Sequence, residues 1–301
     1  MEDGTATAAV KSALDAGYRH IDCAPIYLNE ADIGIALSDA LSSGSVQRDD
    51  LWITSKLWPN RHRPDLVQPA LRQTLSDLRL DYLDLFMIHW PLVFSPDCVR
   101  PTVPEEFISL DEVPLSTTWA AMEECLDLGL CRNLGVCNFS IKKLQGILAN
   151  CQVPPAANQV ESHPFFPQQP LFDFCQQHHI QPVAFSPLGS GDRPERMRNE
   201  EDPNLHADPT IQSIAEARNL TTSQIMLAWA VTRGTVALPK SSTRQHQLEN
   251  LAAGSLVLDD DEMIRIDALK LRHRYVHGRF WKMEGTSYSL ESLWDETDVD
   301  T

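Results

Sequence analysis

The chain predicts an α/β fold of the (β/α)8 barrel type, and three observations point there. Apolar runs of strand length alternate with amphipathic helical patterns along nearly all of the 301 residues. The strand runs are close to continuously apolar, the pattern of parallel strands covered by helices. Polar residues of catalytic type stand at the ends of these runs, where a barrel gathers its functional groups. No G-x-G-x-x-G follows any strand, which argues against an open dinucleotide-binding sheet.

The elements follow in order. The chain opens on a helical pattern, TAAVKSALDAG, ending at Gly17. Strand candidates are YRHIDCA from Tyr18, LWITSKL from Leu51, LDLFMIHW from Leu83, RNLGVCNF from Arg132, AANQVES from Ala156, PVAFSP from Pro182 and VALPK from Val236. Between them lie amphipathic patterns such as PDLVQPALRQTLSDLRL, STTWAAMEECLDLG, IKKLQGILAN, PLFDFCQQHH, PTIQSIAEARN and RQHQLENLAAG. Gly17, Gly129 and Gly254 are expected helix C-caps. Seven strands can be read, and an eight-stranded barrel needs one before the first helix. The first strand is therefore expected to be missing, leaving unpaired edges on Tyr18–Ala24 and Val236–Lys240. The sequence leaves open whether another segment takes its place.

Two irregular stretches follow strands and are placed on the functional face: Pro91 to about Ser116, and Gly189 to Pro209. The tail 273–301 carries Tyr275, Phe280, Trp281, Tyr288 and Trp294 without an obvious helix. It is expected to lie over the barrel mouth of one domain spanning 1–301.

Composition narrows the function. Asp and Glu number 42 against 25 Lys and Arg, a net charge of -17. Such a surface repels nucleic acid and anionic membranes, so neither is expected as a partner. No run approaches the ~18 apolar residues of a membrane span, and the small polar N-terminus is not read as a signal peptide. The seven cysteines show no CxxC pair and no metal-type spacing, so no metal is expected. Reduced, partly buried thiols suit a cytoplasmic protein.

The strand-end residues carry the chemistry. Asp22 and Tyr27 follow the first strand, Lys56 ends the second and His89 ends the third. An ammonium beside a phenol favours phenolate and lowers the tyrosine pKa from ~10 toward the working range. A carboxylate holds the lysine, and a histidine can bond a substrate oxygen. Together they form a proton-transfer site built around tyrosine. Each residue alone has a plain structural reading: Asp22 as a turn cap, His89 as a satisfied strand-end histidine.

GYRHIDCAPIYLNE, ITSKLW, LDLFMIHWP, LGVCNFS, NQVESHP, AFSPLGS and LPKSSTRQHQLEN, in this order from about Thr7 to Leu251, resemble the aldo-keto reductase family. The likeness is greatest to its aldose reductase-like branch, and the tail resembles plant-type members more loosely. The resemblance implies an NADP(H)-dependent, monomeric oxidoreductase that reduces aldehydes or ketones, aldose-like substrates included. Tyr27 is then the proton donor, Lys56 tunes it, Asp22 holds Lys56 and His89 orients the carbonyl. Trp58 and Trp90 become walls of the substrate pocket.

For the cofactor, the resemblance implies Asn138 and Gln159 at the carboxamide and Phe185 stacked on the nicotinamide. Ser186, Leu188, Ser190 and Asp192 fall at the pyrophosphate. Lys240, Ser241, Thr243 and His246 fall around the 2′-phosphate, and Glu249 and Asn250 at the adenine. Three substitutions depart from the pattern: Phe185 for a tyrosine, Cys137 for a serine, and His246 for an arginine, with Arg244 two residues away. The strand expected to be missing carries a Gly-Thr-Trp segment in relatives. The competing reading is therefore a non-enzymatic or weakly active family member that keeps the fold. A barrel hydrolase lacks the matched carboxylate pair or metal site it needs.

Overall fold

Each strand run read in the sequence forms a strand, in a shorter version. The computed structural model describes residues 5–191, 193–199 and 201–296. Its main sheet has seven strands in the order β1-β2-β3-β6-β7-β8-β9. They are β1 (His20–Asp22), β2 (Trp52–Leu57), β3 (Leu85–Ile88), β6 (Leu134–Cys137), β7 (Ala157–Glu161), β8 (Gln181–Phe185) and β9 (Val236–Ala237). β4 (Val93–Phe94) and β5 (Phe107–Ile108) form a small antiparallel pair inside the irregular stretch after β3. Among the described residues the order opens on a helix, as the sequence predicts.

Contacts divide the chain into two compact units. The first runs to Asn158 and takes in the tail from Trp281; the second runs from Gln159 to Phe280.

In the first unit the ladder is parallel. Asp22 lies beside Thr54, Lys56 beside Met87, and Ile88 beside Val136. The helices α1 (Thr5–Ala16), α2 (Glu30–Ser42), α3 (Pro64–Leu78), α4 (Leu115–Asp127) and α5 (Ile141–Leu148) are each amphipathic and bury one stripe. Local chemistry sets their ends. Gly17, at φ 108°, ends α1 in a left-handed turn that a side chain resists. Pro64 opens α3, where its missing N–H costs nothing. Ser140 caps α5 by accepting from the Lys143 N–H at 3.2 Å.

A buried carboxylate ties the opposite ends of these strands. Asp84, 3% exposed, accepts the Ile53 N–H at 2.9 Å and pairs with Arg48 at 2.8 Å. The guanidinium groups of Arg48 and Arg132 both lie over the Tyr82 ring, at 3.9 and 4.0 Å from its centre.

The second unit holds α6 (Gln169–Gln177), α7 (Pro209–Arg218), α8 (Thr222–Thr232), α9 (Arg244–Ala253) and α10 (Asp260–Asp267). Its core packs Phe165, Ile211, Ile214, Ile225, Trp229 and Ile266. α8 is apolar nearly all round and is accordingly buried on every side. Gly254 ends α9 as expected, but with right-handed backbone at φ −64°, so no glycine is required there.

The tail does contain helix. Arg279–Trp281 makes a 3-10 turn, and α11 (Leu290–Trp294) is capped by Ser289. Five residues are too few for a helical period to show in the sequence.

Helices α2 and α3 approach as closely as backbones allow. A Cβ on Gly34 would stand 2.1 Å from the Asp77 carbonyl oxygen and 2.9 Å from the Leu78 carbonyl carbon. Those atoms cannot rotate away. Gly34→Ala is expected to destabilise the chain by about 1–3 kcal/mol, read as a lower Tm. Gly146→Ala is the control. It sits exposed in α5 with nothing within 4 Å, and alanine there stabilises by about 0.5–1 kcal/mol.

Candidate active site

Strand pairing delivers the first contact of the site. β1 and β2 end side by side, so Asp22 and Lys56 project from neighbouring strand ends. Lys56 is fully buried, and its Nζ donates to Asp22 Oδ2 in a short ion pair and to the Cys23 carbonyl at 2.9 Å. Burial opposes the ammonium charge. Asp22, with Tyr27 and Cys137 adding to it, outweighs that, and the lysine pKa is held well above its ordinary value.

Tyr27 arrives from the turn after β1. Pro25–Tyr27 forms one 3-10 turn, with the Tyr27 N–H donating to the Ala24 carbonyl at 3.0 Å. Lys56 Nζ stands 5.4 Å from the centre of the Tyr27 ring. Across from it is His89, just past β3, its ring 6.0 Å from that of Tyr27 at 88°. All four strand-end residues therefore come together.

One expectation is corrected. Lys56 does pull the Tyr27 pKa down, through its charge and a hydrogen bond, but desolvation pushes it up more strongly and the net direction is upward. The phenol stays protonated through the neutral range. Tyr27 nevertheless keeps 49% of its surface open, and water there weakens the desolvation. His89 is pushed well below the ordinary imidazole range by burial, the Lys56 charge and His62. It is neutral, and its Nδ1 has no partner.

Aromatic rings close around this group. Trp58 and Trp90, after β2 and β3, are 7% and 6% exposed. Trp58 lies 5.1 Å from the His89 ring and donates its Nε1–H to the Val99 carbonyl at 2.8 Å. The tail packs onto them: Trp281 is 5.8 Å from Trp58 and 5.9 Å from Trp90, and Trp294 is 5.9 Å from Trp90. The Tyr288 hydroxyl accepts from the Val93 N–H and donates to the Ile108 carbonyl, fastening the tail to the small hairpin. Asp295 holds the end of α11 to Ser140 and Lys143.

Asn138 has left-handed backbone at φ 62° and is buried. Its amide donates to the His89 carbonyl at 3.0 Å, leaving Oδ1 without a partner. That is an open acceptor of the kind a carboxamide N–H needs. Cys137, where a serine was expected, sits 3.9 Å from the Met87 sulfur.

In the second unit, Gln159 is buried on β7, and Phe185 and Ser186 are half-buried at the end of β8. Ser186 and Ser190 are both left-handed, at φ 50° and 51°. Leu188 packs on the core of the unit. Asp192 lies outside the described residues. Lys240, Thr243 and His246 are exposed around the start of α9, while Asn250 is buried within it. The Ser241 hydroxyl accepts from the Thr243 N–H at 3.1 Å and orders that turn. Glu249 accepts from Gln245 at 2.9 Å. Exposed cation and hydroxyls at a helix N-terminus suit a phosphate.

Among the described residues, no His, Cys, Asp or Glu group is placed to hold a metal ion, and no helix is long and apolar enough to cross a membrane.

The chain is similar to known proteins in sequence and in fold. The sequence profile of the Aldo/keto reductase family matches residues 1–271. The chain belongs to the aldo/keto reductase family. An aldo/keto reductase of Synechocystis is 49% identical over 288 residues, which cover 96% of this chain and 88% of that protein. The pig aldo-keto reductase family 1 member A1 is 42% identical over 277 residues, covering 91% and 85%. Among solved structures, the aldose reductase of Schistosoma japonicum superposes with a TM-score of 0.82 at 37% identity, covering 91% of this chain and 87% of its own. The fold class is accordingly the (β/α)8 barrel of this family, and the chain is an oxidoreductase of the class that acts on small carbonyl compounds.

Two members of this surround are hard to see in a sequence. His62 is fully buried and pushed down to about 3 by burial. Glu30, inside the YLNE segment, is buried behind β2 rather than being an ordinary acid of a first helical turn. An Asn-Glu pair opening a helix gives no sign of which way the acid faces.

The ion pair yields a test. Asp22→Asn leaves a buried ammonium without its counter-charge, which costs about 3–5 kcal/mol. Denaturant unfolding is expected to show that loss.

Proposed function

We propose that this chain is an NADP(H)-dependent reductase of aldehydes and ketones, aldose-like carbonyls among them. The carrying observation is the buried Lys56 ammonium, fixed by Asp22 and the Cys23 carbonyl and set against the ring of Tyr27, with neutral His89 opposite.

The residues divide the work. Tyr27 donates its phenolic proton to the carbonyl oxygen, and the phenolate left behind is stabilised by the Lys56 charge. Asp22 keeps that charge in place. His89, neutral and therefore with one N–H to offer, bonds the carbonyl oxygen and orients it. Trp58 and Trp90, with Trp281 against both, supply an apolar wall that excludes water. A bound reduced nicotinamide supplies the hydride.

For the cofactor we assign Asn138, through its open Oδ1, and Gln159 to the carboxamide, and Phe185 to stacking. Ser186, Leu188, Ser190 and Asp192 are assigned to the pyrophosphate. Lys240, Ser241, Thr243 and His246 take the 2′-phosphate, and Glu249 and Asn250 the adenine. The reading carries with it a cytoplasmic monomer, which the free thiols of all seven cysteines suit.

Loss of NADPH absorbance with a panel of aldehydes, ketones and aldoses tests the proposal. Bound nucleotide with no turnover on any of them would favour the non-enzymatic reading.

Tyr27→Phe is expected to lower carbonyl reduction by at least ~10²-fold, the scale of general-acid catalysis, with NADPH binding little changed. Because the phenol is raised, the loss of rate that Tyr27 deprotonation itself causes should lie above the ordinary tyrosine range. A pH–rate profile checks the direction.

Lys240→Ala removes one charge-assisted contact, worth about 1.5–3 kcal/mol or roughly 10- to 150-fold in affinity. It should weaken NADPH far more than NADH. Equal binding of both nucleotides by the unmutated chain would refute the preference.

A further inference from the structure

Glu30 is a buried carboxyl that the proton transfer does not use. It opens α2 three residues after Tyr27 and is 5% exposed. The Ser55 hydroxyl donates to its Oε1 at 2.5 Å, and the Thr74 hydroxyl donates to its Oε2 at 3.2 Å. Ser55 and Thr74 are themselves buried. Ser55 precedes Lys56 on β2, and side chains alternate along a strand. Lys56 therefore faces Asp22, while Ser55 faces the helices on the other side. One carboxyl thus fastens the first turn of α2 to the outer face of β2 and to α3. One helical turn later, Gly34 brings the same two helices into backbone contact.

Nothing about packing asks for an acid here. Among the described residues no cation lies within ion-pair distance of Glu30, and an apolar side chain would fill the space at lower cost. Asn29, just before α2, makes no side-chain cap, and the other side-chain bond to the first turn is the Thr7 hydroxyl donating to the Asp32 carbonyl at 2.8 Å.

We propose that Glu30 is a positioning residue for the proton donor: by pinning the start of α2 to β2, it holds the turn that carries Tyr27 against Lys56. The inference rests on the reading of Tyr27 given above.

The electrostatics add a pH dependence. Burial pushes Glu30 up to about 7. The Ser55 and Thr74 hydrogen bonds pull it down, Asp77 on α3 raises it and Lys56 on β2 lowers it. On the β1 side it faces the Cys23 thiol, which is held neutral; on its own helix the next acid is Asp32. A folded-state pKa above the ordinary glutamate value of 4.5 gives a stabilisation that is full below that value and lost as pH rises through about 7. An anion there favours opening toward water, which loosens the Tyr27 turn.

The test uses the full chain with Glu30→Leu and Glu30→Gln. Turnover of a simple aldehyde with NADPH is measured on either side of pH 7. The Tyr27 phenol is titrated by NMR of ring-labelled tyrosine, assigned with Tyr27→Phe. In Glu30→Leu, kcat is expected to fall at least about tenfold with KM for the aldehyde near the wild-type value, and the Tyr27 titration to shift. Glu30→Gln should recover part of kcat and lose the step near pH 7. Wild-type kcat and an unshifted Tyr27 titration in Glu30→Leu would overturn the proposal. If that variant does not fold, a step near pH 7 surviving in Glu30→Gln overturns it instead. A wild-type chain that reduces no carbonyl defeats the reading of Tyr27; the phenol titration still decides the role of Glu30.

Discussion

The ammonium of Lys56 is the constraint on which the site is built. A charge with no exposed surface must be matched where it lies, because water cannot reach it. Asp22, the last residue of β1, and the carbonyl of Cys23 directly after it supply the match. The register that sets Asp22 beside Thr54 therefore cannot slip without stranding the charge. A one-residue slip would turn Asp22 to the other face and leave the ammonium facing none of its partners. The pair thus fixes strand alignment and chemistry by the same contact.

Around that pair, the first unit arranges polar and apolar surroundings with opposite effects. Burial keeps His89 neutral and raises the phenol of Tyr27, while the neighbouring ammonium favours the phenolate. The proton-donor role proposed for Tyr27 needs both influences. The phenol must hold its proton before the reaction and be stabilised after losing it. The rings of Trp58, Trp90 and Trp281 maintain the dry side of this balance, and the half-open face of Tyr27 maintains the wet side.

Most of the fold was legible because its signals are local. All seven strand runs became strands, trimmed where their ends pass beyond the ladder: Tyr18–Ala24 shortens to His20–Asp22, and Val236–Lys240 to Val236–Ala237. The hairpin of β4 and β5 escaped notice because two residues per strand leave no alternation to read. The grouping of Asp22, Tyr27, Lys56 and His89 was legible because strand ends converge in a barrel whatever the loops do. What the sequence hid was depth. The motif around Tyr27 names the lysine that lowers its pKa, but not the burial that outweighs it. Glu30 reads as a helix-opening acid until Ser55 and Thr74 are seen to bond it. The same blindness applies to Asn138, whose free oxygen depends on where its amide is spent.

The tail joins a unit whose other members precede residue 159. During synthesis, Trp58, Trp90 and Phe94 emerge long before Trp281, with about 120 residues of the second unit made in between. Phe94, the last of the three, precedes Trp281 by 187 residues, which at common elongation rates is roughly 9 to 37 seconds. For that interval the three rings lack the tryptophan that later packs against each of them. A growing chain thus presents an oily aromatic surface next to His89. How long that surface stays open is set by the pace of synthesis, not by the stability of the finished protein.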